Sequence, residues 1–433
     1  MIITNAENAI EKPDVFESKR VRLTSPILHI GSQFSQLNPF EYVQTLSRVY
    51  IPNPDLLAKA LYQGGRLQEY INRIEERQEI DSLLKATFGN NWQEKKLGKD
   101  KRPLFPPTGI SRKWTEDKIT NFRPMIRNGL GEIYLPGTSI KGAIRTAVVY
   151  HLLKHSDKYK VPQKNQVSAI EKQLRDKMGE LKRKAKFTDD RLFMDSLFSD
   201  FSLYFNNQKA DVKSFSANTD FMRAVKVTDS QPLLEFSTVN KKGKTLYKNL
   251  AVAAKVIVSS RFEDYNAKYR ESIYAEMVWN VKTEFTISIN PEMLSWFRHN
   301  EGMQIPFKNV DELLNICREF AQDQWDAEVK YWTEIQNNTD RGKYLDFDLL
   351  WEKYYEKPNC PYDLRIGWGT SILGTTISML YEDENLAREV LDICHSNNQA
   401  PGFEAPKSRR VVLNNKGQIR YVPGWVNFEV LEK

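Results

Sequence analysis

The chain has 433 residues, of which 40% are hydrophobic, 12% aromatic and 27% charged, which excludes a disordered chain and leaves room for two or three folded units. A formal charge of +7 favours a polyanionic partner over a basic one. Cys317, Cys360 and Cys394 are widely spaced with no CxxC, which excludes a disulfide framework and a cysteine-based zinc site.

The opening "MIITNAENAIEKPDVFESKR" has no basic segment leading into an apolar one, and no stretch approaches the roughly 18 apolar residues of a membrane span. A reducing, cytoplasmic setting without a membrane partner is the expectation. Residues 1–18 read as an extension. Residues 19–30, "KRVRLTSPILHI", alternate and stop at Gly31, predicting a strand that runs into a loop. Asn53-Pro54-Asp55 starts a helical stretch interrupted at Gly64-Gly65, and residues 90–107 read as a polar loop.

Residues 132–153, "EIYLPGTSIKGAIRTAVVYHLL", combine a Pro-Gly turn with a helix expected from about Ile140, capped by Thr138 or Ser139. At 3.6 residues per turn Ile140, Ile144, Ala147, Val148 and His151 share one face, flanked by Lys141 and Arg145. A lysine in the first turn opposes the helix dipole, whereas a bound phosphate would reverse that sign. A solvated lysine tolerated at small cost is the alternative. The stretch does not match GxxxxGK[ST].

Residues 154–190 are dense in Lys and Glu and read as an exposed helical insertion. Strand character resumes in "FMRAVKVTDSQPL" at 221–233 and in "YAEMVWNVKTEFTISIN"; 309–335 and 376–395 have helical periodicity; "GQIRYVPGWVNFEVLE" reads as a hairpin or paired strands. The glycines of "RIGWGTSILGTTISML" (365–380) allow a close backbone approach before a helix, and Trp368 can stack on a base or plug a core. In "APKSRRVVL", Lys407, Arg409 and Arg410 stand beside an apolar strand, as a phosphate-contacting edge would. The order of elements predicts an α+β protein built from split βαβ sheets, divided into residues 19–250 and 251–433.

Catalytic patterns are sparse. His151 and His155 are spaced i,i+4 without the glutamate of HExxH, so His151 reads as a core-edge residue and no metal is assigned. The acids of "TDDRLFMD" and "YLDFDLL" read as helix starts and surface groups. His29 has no partner in sequence for general acid–base work.

Four ordered stretches, "LTSPILHIGS", "YLPGTSIKGAIRTAVVYHLL", "FMRAVKVTDSQPL" and "LRIGWGTSILGTT" followed by "APKSRRVVL" and "VPGWVNFEV", resemble the RAMP superfamily of CRISPR effector proteins. They look most like the Csm-type subunits that cap the head of type III-A complexes. The resemblance implies RRM-related ferredoxin-like folds with helical insertions, no cofactor, and binding of CRISPR RNA near its 3′ end. Target RNA would lie nearby, with the backbone and small subunits of the Csm complex as neighbours. It places guide contacts at His29, Gly31 and Ser32, at Gly137, Thr138, Ser139, Lys141 and Arg145, at Arg223, and at Gly367, Trp368, Gly369 and Thr370. Lys407, Arg409 and Arg410 are further phosphate contacts, and a protruding thumb is expected within 240–275. Related backbone subunits carry a target-cleaving aspartate in the loop after the first strand; "GSQFSQLNPFEY" has none, only Glu41. A non-catalytic subunit is therefore expected, with a CRISPR-RNA-processing ribonuclease using His29, or a target-cleaving backbone subunit, as the alternatives.

Overall fold

A computed structural model describes residues 16–32, 35–179, 195–213, 215–239, 245–394 and 403–431. The alternation in the first stretch produces β1 (Glu17–Leu28), which buries Val21, Leu23, Ser25 and Ile27 on one side. It lies in a twelve-stranded sheet with β2 (Val43–Gln44), β3 (Arg48–Tyr50), β4 (Ile110–Lys113), β5 (Phe122–Arg123), β6 (Val225–Val227), β7 (Leu250–Ser260), β8 (Lys268–Ile289), β9 (Leu364–Arg365), β10 (Ser408–Leu413), β11 (Ile419–Tyr421) and β12 (Trp425–Leu431). The sheet runs β9-β12-β1-β8-β7-β4-β3-β2; β5 and β6 pair with β8, and β10 joins β7 to β11. It is mixed: β1 is antiparallel to β8 and β12, while β4 runs parallel to β7 and β5 to β8.

Among the described residues, the helices of eight residues or more are α1 (Pro54–Gln63), α2 (Leu67–Glu75), α3 (Asp81–Phe88), α4 (Gly137–Lys154), α5 (Val167–Asp176), α6 (Val310–Glu334) and α7 (Leu386–Cys394). Ile140, Ile144, Ala147, Val148 and His151 of α4 are all buried, as the helical projection predicts. The four apolar ones join β1, β8 and α6 in the largest apolar cluster, and a second cluster on β7, α6 and β10 includes Trp325 and Trp425. The α+β class is what the sequence order implied; the strands join in one large mixed sheet, where separate split βαβ sheets were expected.

Three details differ from the sequence reading. The helix of the Pro-Gly motif starts at Gly137 rather than Ile140, and no side chain of Thr138 or Ser139 caps it. The division at 250/251 falls on the first residue of β7, in a sheet shared by both segments, because β1 pairs with β8 along nearly its whole length. Residues 250–260 and 268–275, expected in a protruding thumb, belong to this sheet: "LAVAAKVIV" is covered on both faces, as a central strand is. Within the expected region, the hairpin Phe236–Val239 with Thr245–Lys248 forms a separate two-stranded ribbon that exposes Phe236, Val239 and Leu246. Residues 240–244 at its turn, and most of "TDDRLFMD", lie outside the described residues.

Candidate nucleic-acid interface

Beyond Leu28 the chain leaves β1 at His29, which is 2% exposed and donates from Nδ1 to the Glu276 carbonyl oxygen at 2.6 Å. Burial pushes its imidazole down to about 4 despite that bond, so it is neutral at pH 7. The glycine-rich loop closes over this point. Trp368 donates its backbone N–H to the His29 carbonyl at 2.9 Å, and Gly367, at φ +81°, lies so close that a Cβ there would fall well inside 3.0 Å of the same oxygen. The indole of Trp368 meets the His29 ring edge-on at 5.4 Å between centroids. Gly369 and Thr370 are buried in the loop, with Thr370 Oγ1 donating to the Gly367 carbonyl at 3.2 Å. Gly31 is exposed and bridges to Met125, and Ser32 is half-exposed beside it.

Two guanidiniums converge on the same tryptophan. Arg410, from β10 opposite Val258, is 4.9 Å from the Trp368 ring centroid; Arg123, from β5 opposite Ala275, is 5.6 Å away. Neither has a carboxylate within ion-pair distance among the described residues, and the Nε of each is buried without a hydrogen-bond partner. Burial, then the charge of Arg123, lowers the Arg410 pKa, with Glu271 offsetting part of the repulsion. Two like charges held near one aromatic ring favour an anion close to them. The donors suit phosphate and the ring planes suit bases. Arg410 and Lys407 also line a cleft of about 790 Å³ in which they, with Arg270, Arg341 and Arg388, outnumber Glu271, Asp392 and Glu404.

Underneath, Glu276 fixes the geometry. It is fully buried, and its carboxylate accepts from Arg127 Nη2 and Nη1 at 2.7 and 2.8 Å, from Ser111 at 2.6 Å and from the Met125 N–H at 2.9 Å. Burial alone would raise its pKa, but Arg127 and these donors outweigh it and hold the group below its ordinary value. One residue of β8 thus ties down His29, β4 and the Met125–Arg127 segment. Arg123 and Glu276 escaped the sequence reading; the only signal was a carboxylate inside the apolar run "YAEMVW".

The Pro-Gly motif sits elsewhere, because β6 pairs with the Ile287–Ile289 end of β8 whereas Leu28, just before His29, pairs with Val278 near the middle of that strand. Where a phosphate was expected, the chain supplies partners of its own. The Gly137 N–H donates to Asp229 Oδ1 at 2.7 Å, so a carboxylate of the chain itself serves the helix start. Lys141 Nζ donates to the Val225 carbonyl at 2.7 Å, and Arg145 pairs with Asp220 at 2.6 Å and lies 3.7 Å from the Phe198 centroid. Both cations face protein. Burial lowers the Lys141 pKa, and Asp220 works against that shift. Thr138 is exposed and Ser139 half-buried. Arg223 is exposed and donates to Asn218 at 2.8 Å.

Arg409, expected at a phosphate, is 5% exposed, 2.8 Å from the fully buried Glu328 and 3.9 Å from the Tyr331 ring centroid, so its guanidinium faces the interior. Lys407 Nζ lies 5.4 Å from the Phe262 ring. In the loop after β1, Glu41 accepts from the Asn38 N–H at 2.6 Å and from its Nδ2 at 2.8 Å, closing a local turn.

A family model described as the RAMP superfamily matches residues 20–345, and the chain belongs to that superfamily. Within it, the chain matches a Csm-type subunit. It is 26% identical over 171 residues to the CRISPR system Cms protein Csm5 of Enterococcus italicus, an alignment covering 34% of this chain and 48% of that protein. The chain therefore spans about half the length of that relative. In fold it is similar to a chain of the cryo-EM structure of a Csm–crRNA–target RNA ternary complex of a type III-A CRISPR–Cas system, with a TM-score of 0.55 and 20% identity, covering 95% of this chain and 100% of that one. It is also similar to the crystal structure of T. onnurineus Csm5, with a TM-score of 0.56, 17% identity and the same coverage. Among the described residues no helix is long and apolar enough to cross a membrane.

Proposed function

We propose that the chain is a guide-RNA-binding, non-catalytic subunit of a type III-A Csm effector complex, capping the head of the assembly near the 3′ end of the CRISPR RNA. One observation carries the reading: two guanidiniums without carboxylate partners among the described residues, Arg123 and Arg410, are held against Trp368 at the end of β1, in a chain whose fold resembles a component of a crRNA-bound complex. The guide would pass Gly31, Ser32 and the Gly367–Thr370 loop and continue along the basic cleft at Lys407. Arg223 is a separate exposed contact. Target RNA and the backbone and small Csm subunits are the neighbours this placement implies, in the cytoplasm. RRM-related split βαβ units, with the two segments meeting at β7, are the evolutionary reading of the mixed sheet.

A non-catalytic role is supported by His29, whose ring is neutral, buried and engaged with a backbone carbonyl and therefore poorly suited to exchange protons with RNA. The decisive test measures binding of the full chain to labelled single-stranded guide RNA by fluorescence anisotropy at several salt concentrations. R123A and R410A are expected to weaken binding about tenfold or more and each to flatten the salt slope by roughly one. W368A is expected to weaken it by about 1–3 kcal/mol. Affinity unchanged in all three variants refutes the interface. Incubation with precursor RNA, with and without chelator, is expected to leave the RNA intact; cleavage abolished by H29A would restore the ribonuclease reading.

A further inference from the structure

The last turn of α4 packs against the middle of α6. There, one carboxylate from α6 faces two imidazoles from α4. Glu319 Oε2 is 2.5 Å from His151 Nδ1, and Glu319 Oε1 is 2.7 Å from His155 Nε2. All three donor atoms lie within 4.8 Å of one another. The i,i+4 spacing sets both rings on one helix face, with centroids 4.6 Å apart. The remaining nitrogen of His151, Nε2, is 2.9 Å from the Tyr159 hydroxyl, which fixes the ring with Nδ1 turned toward Glu319.

We propose that His151, His155 and Glu319 form a binding site for a divalent transition-metal ion of the zinc class, clipping α4 to α6. Two imidazoles and one carboxylate suit Zn²⁺, Co²⁺ or Ni²⁺ rather than Ca²⁺ or Mg²⁺, which prefer all-oxygen sets. Ligands at zinc–nitrogen and zinc–oxygen distances of about 2.0–2.1 Å in a tetrahedron stand roughly 3.3 Å apart, so the two carboxylate–imidazole contacts, at 2.5 and 2.7 Å, would open by somewhat under ~1 Å and the imidazole nitrogens would settle at the same spacing. The metal-free hydrogen bonds hold the three donors near that geometry. A side-chain exposure of 36% at His155 gives the ion a path in and leaves a fourth position for water.

Other charged groups around the site are accounted for. Lys154 Nζ lies 3.0 Å from Glu319 Oε1 and 2.6 Å from Asp323 Oδ2, and Tyr150 donates to the same Asp323 oxygen at 2.8 Å. On metal binding the ammonium keeps Asp323 and releases Glu319. The site is independent of the RNA reading, since neither Trp368 nor either of its arginines takes part.

The test uses the full chain freed of any affinity tag and stripped with chelator. ZnCl₂ is titrated by calorimetry, and CoCl₂ by visible absorption, where a four-coordinate site gives a d–d band. Wild type is expected to bind one equivalent of each and to melt at a higher temperature with added zinc. H155A and the near-isosteric E319Q are each expected to lose at least about tenfold in affinity and to lose the melting shift, while K154A binds at least as tightly as wild type. Absence of saturable binding in wild type, or binding unaltered in both H155A and E319Q, overturns the proposal. Circular dichroism of E319Q, whose shape preserves the packing, separates loss of the site from loss of the fold.

Discussion

Glu328 shows how strongly a single residue can commit the interior. It lies fully buried between Arg409 at 2.8 Å and Arg365 at 3.4 Å, and accepts from Trp332 Nε1 at 3.0 Å. Burial opposes its charge, but the two arginines outweigh that and hold the carboxyl below its ordinary value. Replacing one partner of such a group strands the others, so Glu328→Gln should cost about 3–5 kcal/mol in a urea titration. His29 gives a pH signature of definite sign. Above its ordinary value of 6.5 it is neutral in both states; as pH falls toward about 4, the unfolded chain takes up a proton that the folded chain refuses, so stability falls with pH. Between pH 7.5 and 5 this residue should remove about 2 kcal/mol, and His29→Gln should flatten the urea-midpoint profile by that amount. Gly367 is a steric commitment of another kind. Its φ of +81° and its closeness to the His29 carbonyl mean that Gly367→Ala should lower the melting temperature and detach the loop carrying Trp368.

The start of α4 is where local electrostatics and tertiary placement meet. A lysine in the first turn is unfavourable by itself, yet Lys141 is oriented to the Val225 carbonyl while Asp229 supplies the negative charge at the Gly137 N–H. Asp229→Ala should therefore cost about 1 kcal/mol, and Asp229→Asn, which keeps the acceptor, distinctly less, as read by thermal melting. Lys141→Ala and Arg145→Ala should lower stability and leave RNA affinity nearly unchanged, the opposite of Arg410→Ala. Gly137 adds a steric reason for the motif, since a Cβ would run into the Val227 and Thr228 backbone. The hairpin 236–248 exposes apolar side chains on a two-stranded ribbon, whereas β7 places nearly every residue in contact with neighbours on both faces.

At the scale of the molecule, β8 is the spine. It pairs with β1, β5, β6 and β7, so residues before and after 250 complete each other's sheet. A fragment of residues 1–250 lacks β8 and should not give a cooperative thermal transition or dispersed amide spectra, whereas the full chain should give both. The same arrangement keeps the two basic motifs apart. One faces Asp220 and the Val225 carbonyl near the Ile289 end of β8, and the other surrounds Trp368 beside the Ala275–Val278 stretch at its middle.

By itself the sequence determined the elements with a strong local period: β1 from its alternation, the buried face of α4 from Ile140 to His151, α6 from its long helical repeat, and the glycine-rich loop from glycines that only a close approach requires. It also determined the superfamily, because the motifs occur in a fixed order along the chain. Which cations face solvent and which face carboxylates was decided by tertiary structure alone. Arg409 and Arg410 are adjacent in sequence, yet a strand turns one toward Glu328 and the other toward Trp368. Glu319 reaches His155 from 164 residues away. Charge is a property of a residue, but its partner belongs to the fold, since local periodicity acts over a few residues and burial brings together groups that no spacing rule connects.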